Sequence, residues 1–292
     1  MPEGSTVQAL HGRAAVIASA LREAAAGLAA TSDTPRLDAE LLMAGALRVS
    51  RSELLLRHMQ DTVPESFAPL LTRRLGHEPI AYILGRQEFF GLDLRVTPAV
   101  LIPRGDSEVL VEAAFAARPD ARRVLDCGTG SGALLLAVLS RLGEARGIGI
   151  DRSAEALAVA RGNAARLGLG GRAAMIEADW ERPGWAGPLG APFDLILANP
   201  PYVEAEADLA PSVRAHEPPG ALFAGPEGLD AYRVLIPQLP ALLTPGGVAI
   251  CEIGATQAAA VAAIARTAGF AVRPHRDLGD RPRALELSRA IR

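Results

Sequence analysis

Residues 199–202 read Asn-Pro-Pro-Tyr and follow the apolar run 193–198, where a buried strand would end. A primary amide or exocyclic amine is a poor nucleophile, because its nitrogen lone pair is delocalised into the adjacent π system. Two acceptors aimed at its N–H groups would hold that nitrogen and favour charge on it. Asn199 Oδ1 and the Pro200 carbonyl suit the task, and neither Pro200 nor Pro201 has an N–H to interfere. Tyr202 offers a face on which a planar group can stack. The tetrapeptide thus suits alignment of a planar NH₂ with an electrophilic carbon, a catalysis of position and electrostatics for which hydride transfer has no use. The plainer alternative is a Pro-Pro turn closing a strand.

A second constellation is VLDCGTGSGALL at 124–135, a strand, a glycine-rich turn and a helix start. Gly128, Gly130 and Gly132, with Thr129 and Ser131 between them, let backbone approach a ligand. The helix N-terminus behind them offers unpaired N–H groups to an anionic portion. Gly128, Gly130 and Ala133 also satisfy GxGxxG/A, so NAD competes with other nucleotide-type cofactors here. Asp151 ends the next strand, where ribose hydroxyls lie for either cofactor, although it also suits the first turn of the following helix. Asp179 and Trp180 follow the third strand and suit adenine, by hydrogen bonding and packing; Trp180 equally suits a core.

These residues need a scaffold, and the pattern supplies one. After residue 105, strand and helix patterns alternate, which predicts a mostly parallel sheet covered on both faces, with ligands outside the carboxyl ends of its strands. A helix is expected over 229–243 and a long loop before it, to about 228. Residues 1–76 carry helical periodicity, as at Leu10, Ala14, Ile17 and Leu21. Thr34-Pro35 reads as a helix start capped by the threonine hydroxyl. Alternation around Gly91 suggests a β-hairpin within a linker, 77–104.

At 292 residues the chain fits two domains, and with 49% hydrophobic and 22% charged residues it is neither disordered nor fibrous. The net charge of −3 leaves no electrostatic footprint for nucleic acid. All 30 basic residues are arginine, as in the coding of a GC-rich bacterial genome, so arginine by itself says little about phosphate. Up to residue 80 there are 9 acids and 8 arginines, a near-neutral bundle suited to docking rather than to clamping nucleic acid. No apolar run approaches the roughly 18 residues that span a bilayer, and the start is unlike a signal peptide, so a cytoplasmic protein without a membrane partner is expected. Cys127 and Cys251 lie in apolar stretches without CxxC spacing and read as core thiols, not metal ligands.

DxGTGSG together with NPPY resembles the class I S-adenosylmethionine-dependent methyltransferases that modify amino nitrogens. Six flanking segments narrow this: RLDAELL (36–42), EPIAYILG (78–85), LIPRGDSE (101–108), HEPPGALFAGPEGLDAYR (216–233), LTPGGVAICEIGATQ (243–257) and RDLGDRPRALEL (276–287). Along nearly the whole chain they resemble the bacterial release-factor glutamine methyltransferases, the PrmC/HemK family. The resemblance implies an α/β fold with a Rossmann-like, mostly parallel seven-stranded sheet of order 3-2-1-4-5-7-6 over 105–292. A helical substrate-docking domain (1–76) and a hairpin linker (77–104) would precede it. It implies transfer of a methyl group from S-adenosylmethionine to the side-chain amide nitrogen of the glutamine in the GGQ motif of class I peptide-chain release factors, tuning translation termination. S-adenosylhomocysteine is then the product, and no metal is needed. On that reading Gly128, Thr129, Gly130, Ser131 and Gly132 hold the methionine part, Asp151 the ribose, and Asp179 and Trp180 the adenine side. Asn199, Pro200, Pro201 and Tyr202 hold the glutamine, Asn199 also facing the cofactor; Arg104 and Glu252 are lesser candidates. The family usually reads IPRPDTE where this chain has Gly105 and Ser107, a change expected to loosen the linker. The competing functions are methylation of a base amine in RNA or DNA, or of a ribosomal-protein glutamine. From other classes come an NAD-dependent oxidoreductase and a non-catalytic cofactor-binding module.

Overall fold

The computed structural model describes residues 16–277 and 279–289, so the periodic positions Leu10 and Ala14 lie outside the described residues. The chain divides into two units: one runs to Gly85 and includes Leu209–His216, the other holds Arg86–Asp208 and continues from Glu217.

The first unit contains α1 (Ile17–Leu28), α2 (Pro35–Leu47), α3 (Phe67–Leu75) and α4 (Ile80–Leu84). Between α2 and α3 a short turn, Arg51–Glu53, continues as a π-helix, Leu54–His58. Ile17, Leu21, Ala24 and Leu28 recur at three and four residues and form one buried stripe, packed with Leu42, Met43, Phe67 and Leu71. The unit ends after Gly85 instead of at residue 76, because α4 belongs to it: Ile83 is buried in the same core. Helix α2 opens at Pro35, but the Thr34 hydroxyl does not cap it; it donates to Asp38 Oδ1 at 3.2 Å. Asp38 is buried and also receives Arg74 Nε and the Ser32 hydroxyl, each at 2.7 Å. Buried Glu40 likewise takes Arg36 at 2.6 Å and Arg51 at 2.7 Å. The two acids of the RLDAELL segment are therefore internal struts, not surface charge.

The second unit opens with a hairpin, β1 (Arg86–Phe89) and β2 (Leu92–Arg95), whose turn residues Phe90 and Gly91 both have positive φ, 51° and 76°, as a two-residue hairpin turn requires. Its main sheet contains β3 (Arg123–Cys127), β4 (Arg146–Asp151), β5 (Ala173–Glu177), β6 (Phe193–Ala198), β7 (Leu243–Glu252), β8 (Phe270–Arg276) and β9 (Pro282–Arg289). The order is β5-β4-β3-β6-β7-β9-β8, which is the expected 3-2-1-4-5-7-6 when β3 is counted first. The strands β3 to β7 run parallel, and β9 is antiparallel to both neighbours. The remaining helices are α5 (Glu108–Ala117), α6 (Ala133–Arg141), α7 (Ala154–Arg166), α8 (Pro211–His216), α9 (Asp230–Leu235) and α10 (Ala258–Thr267). Side chains alternate across the sheet: Leu195 and Leu197 join the core under α6 and α7, and Ile196 and Ala198 the core under α9 and α10.

The helix expected over 229–243 is two elements, α9 and a 3₁₀ stretch, Ile236–Ala241, because Pro237 and Pro240 remove the donors a continuous α-helix needs. The loop expected to run to 228 contains α8, which belongs to the first unit; the His216 imidazole there donates to the Gly76 carbonyl at 3.2 Å. Cys127 and Cys251 are buried free thiols, and burial raises both, Cys251 to about 12. No helix of the described residues is long and apolar enough to cross a membrane.

Strand register decides what meets at the site. Cys127 pairs with Ile150 on one side and Ala198 on the other, and Ala198 pairs with Cys251. The next residues, Gly128, Asp151, Asn199 and Glu252, therefore leave the sheet side by side at its carboxyl edge.

Candidate active site

A cavity of about 420 Å³ opens at that edge, within the range of small-molecule sites. Gly128 and Gly130 from the turn after β3, Asp151 after β4, Asp179 and Trp180 after β5, and Asn199 and Pro201 after β6 all line it. Thr129, Ser131, Gly132, Pro200 and Tyr202 do not; Thr129, Ser131 and Pro200 are buried behind it.

The glycine turn is held from below. Gly128 and Thr129 donate their N–H groups to the Ile150 carbonyl at 2.9 and 2.8 Å, and the Thr129 hydroxyl donates to buried Asp126 at 2.7 Å. Burial raises the Asp126 carboxyl to about 7, nearby Asp151 adds to the shift, and its Oδ1 has no partner among the described residues. Gly130, with φ of 54°, faces open space: a Cβ there would meet no protein atom within 4 Å. At Gly128, with φ of 75°, a Cβ would come within 3.2 Å of the Trp180 ring. Backbone and indole are thus close neighbours in the cavity wall, with no room for a side chain between them.

Asp151 is aimed by two backbone donors, Gly130 N–H at 3.0 Å and Ser153 N–H at 2.9 Å, one to each carboxylate oxygen. Each oxygen keeps a further lone pair for a hydroxyl donor. The helix-start role falls instead to Ser153, whose Oγ accepts the Ala156 N–H at 3.1 Å. These features fit a nucleoside-bearing cofactor: an acceptor for ribose, an aromatic wall for a base, and bare backbone where a side chain would intrude.

Several contributors have bracing roles that the sequence does not signal. Asn163, buried on α7, accepts the Arg95 N–H at 2.7 Å and donates to the carbonyls of Arg95 and Ser131, both at 2.9 Å, tying β2 to the glycine turn. Buried Glu217 accepts the Ile102 N–H at 3.2 Å and pairs with Arg104. It joins two walls of the cavity, since Val100, Leu101 and Pro103 lie on one and Pro218, Gly220 and Phe223 on the other. Arg104 therefore braces the wall and does not itself line the cavity. Gly105 is not at positive φ, and the residues after it are held: Asp106 takes Arg283 at 2.7 Å and buried Ser107 lines the cavity.

Glu252 sits behind the site. Burial raises its carboxyl to about 7, only partly countered by the Ser107 and Tyr202 hydroxyls. Tyr202 is half-buried, and its hydroxyl donates to Glu252 Oε1 at 3.3 Å. Burial, reinforced by the Glu252 charge, raises the phenol above its ordinary range, so it stays protonated.

A seven-stranded sheet of order 3-2-1-4-5-7-6 with only its seventh strand antiparallel, a glycine turn after β3 and an amide-bearing turn after β6 is the arrangement of a class I methyltransferase. Residues 119–268 match the model of a methyltransferase domain, and residues 19–85 that of the PrmC N-terminal domain. The crystal structure of a methyltransferase from Pyrococcus furiosus superposes with a TM-score of 0.52 at 18% identity, over 69% of this chain and 91% of that one, a likeness of fold. The release factor glutamine methyltransferase of Caulobacter vibrioides is 44% identical over 262 residues, 87% of this chain and 89% of the relative. That of Moorella thermoacetica is 43% identical over 258 residues, 86% and 89% of the two chains. The chain belongs to the release factor glutamine methyltransferase family.

Proposed function

We propose that this chain methylates the side-chain amide nitrogen of the GGQ glutamine in class I peptide-chain release factors, using S-adenosylmethionine. The observation that carries the reading is the shared cavity: Asn199, one residue past β6, lines the same space as Gly128, Gly130 and Asp151. Its relatives named as release factor glutamine methyltransferases, alike over most of both chains, support the choice of substrate.

The cofactor, when bound, supplies an electrophilic methyl group on a sulfonium. The chain's own part is to place the nucleophile. Asn199 Oδ1 and the Pro200 carbonyl accept the two N–H groups of the substrate amide, which holds its nitrogen in line and favours charge on it. Gly128 to Gly132 shape the bed for the methionine part, Asp151 accepts from ribose, and Asp179 and Trp180 bound the adenine side. Tyr202, its phenol protonated and its hydroxyl held by Glu252, presents its ring face to the planar amide. The excess proton of the methylated amide passes to water, so no strong base is assigned. The first unit serves as the docking surface for the release factor. The protein works in the cytoplasm, where release factors act.

Mass spectrometry of a purified class I release factor incubated with this protein and S-adenosylmethionine tests the reading. A gain of one methyl group on the GGQ glutamine is expected. An unmodified glutamine, with cofactor binding verified by calorimetry, would redirect the reading to another protein glutamine or a nucleic-acid amine.

A further inference from the structure

The acceptors of the Asn-Pro-Pro-Tyr turn act through direction, so something must fix the turn. Pro200 and Pro201 have no N–H with which to anchor it, and the anchoring falls on Tyr202. The last residue of β7 and a residue of the segment that follows it grip Tyr202 at opposite ends. Glu252 Oε1 accepts its hydroxyl at 3.3 Å, and Gln257 Nε2 donates to its carbonyl at 3.0 Å.

The Gln257 amide reaches further. The same Nε2 lies 3.4 Å from the Glu227 carbonyl and 3.3 Å from the Gly228 carbonyl, and Oε1 accepts the Gly254 N–H at 3.1 Å. Gly228, at φ of 66°, permits this approach: a Cβ there would fall 2.2 Å from the Tyr202 oxygen and 2.7 Å from Gln257 Nε2. Glu252 is itself held, 3% exposed, with its backbone carbonyl taking the Tyr232 hydroxyl at 2.8 Å. Its Oε2 has no partner among the described residues. Beyond Tyr202, Val203 exchanges hydrogen bonds with Leu222 at 2.8 Å and Ala224 at 2.9 Å, and Phe223, Ala224 and Gly225 line the cavity. Neither Glu252 nor Gln257 lines it.

We infer that Glu252 and Gln257 are positioning residues, a two-point clamp that fixes Tyr202 and through it the direction of the Asn199 and Pro200 acceptors. The clamp controls turnover and leaves cofactor affinity alone. The inference rests on the reading that residues 199–202 hold the substrate amide.

The test measures kcat and KM with the release factor, and cofactor Kd by calorimetry, for Gln257→Met, Gln257→Glu, Glu252→Gln and Glu252→Ala. In Gln257→Met, kcat should fall between about tenfold and about a hundredfold, the cost of a small misplacement, with cofactor Kd within about twofold. Gln257→Glu keeps the acceptor for Gly254 but sets a carboxylate against three carbonyls, so it should lose at least as much. Glu252→Gln retains an acceptor for Tyr202 and should keep most of the turnover that Glu252→Ala loses. In a Tyr202→Phe background the Glu252→Ala loss should shrink to about twofold or less, because the shared hydroxyl is gone. Unchanged kcat in Gln257→Met, a loss expressed mainly in cofactor Kd, or an undiminished Glu252→Ala effect in the Tyr202→Phe background would each overturn the clamp alone. Absence of methylation by the wild-type protein in the same assay overturns the substrate reading, and the clamp with it.

Discussion

At the scale of the residue, the division of labour is between groups that face the cavity and groups that hold them. Asn199→Ala removes one of the two proposed acceptors while leaving the glycine turn intact. Turnover should fall by about a hundredfold or more, as when one preorganised hydrogen-bonding group is lost, with cofactor affinity little changed. Steady-state kinetics beside calorimetry checks the split. Gly130→Val does the reverse: it sends a branched side chain from a φ of 54° into open cavity space, so cofactor affinity should drop by about tenfold or more, read by equilibrium dialysis. Both positions were legible in the sequence, because each chemistry demands a particular residue type at a strand end. The bracing roles of Asn163, Glu217 and Gln257 were not: Glu217 and Gln257 fall in segments that carry the family resemblance, but residue type and spacing do not say which backbone, far off in sequence, such a side chain holds.

At the scale of the element, the cavity is a set of strand ends closed by two loops, and Glu217 is the rivet between them. Glu217→Ala would strand the buried Ile102 N–H and release Arg104, at a cost of about 1–3 kcal/mol from the unsatisfied donor alone. Thermal unfolding should shift down accordingly, and bound cofactor should recover part of the loss because it binds only the folded chain. The strand before the Asn-Pro-Pro-Tyr turn was readable from its run at 193–198, which is β6. The helices were less so: Pro237 and Pro240 cut the expected 229–243 helix in two, and 211–216, too short and polar to show a period, was hidden inside a loop. The Thr34 hydroxyl accepts no backbone N–H of the helix and is oriented instead to donate to the buried carboxylate of Asp38, a tertiary arrangement that a capping pattern does not foresee.

At the scale of the molecule, the sheet keeps two buried acids at its carboxyl edge, Asp126 and Glu252, each raised to about 7 from ordinary values of 3.8 and 4.5. Between those limits the folded chain binds more protons than the unfolded one, so stability should fall as pH rises from about 5 to about 7 and level off above. Asp277, lowered to about 2, contributes its opposite slope only at more acidic pH. Urea unfolding at a series of pH values measures the slope, and Glu252→Gln should flatten it. The alternating strands and helices made the second unit's topology plain in the sequence. The first unit's extent was not, because its last piece, α8, is written inside a loop of the second. That interruption bears on the history of the gene. A single recombination junction near residue 85 cannot carry the first unit across whole, since α8 would remain with its host, so exchange of the helical unit between divergent relatives should succeed only when both segments travel together.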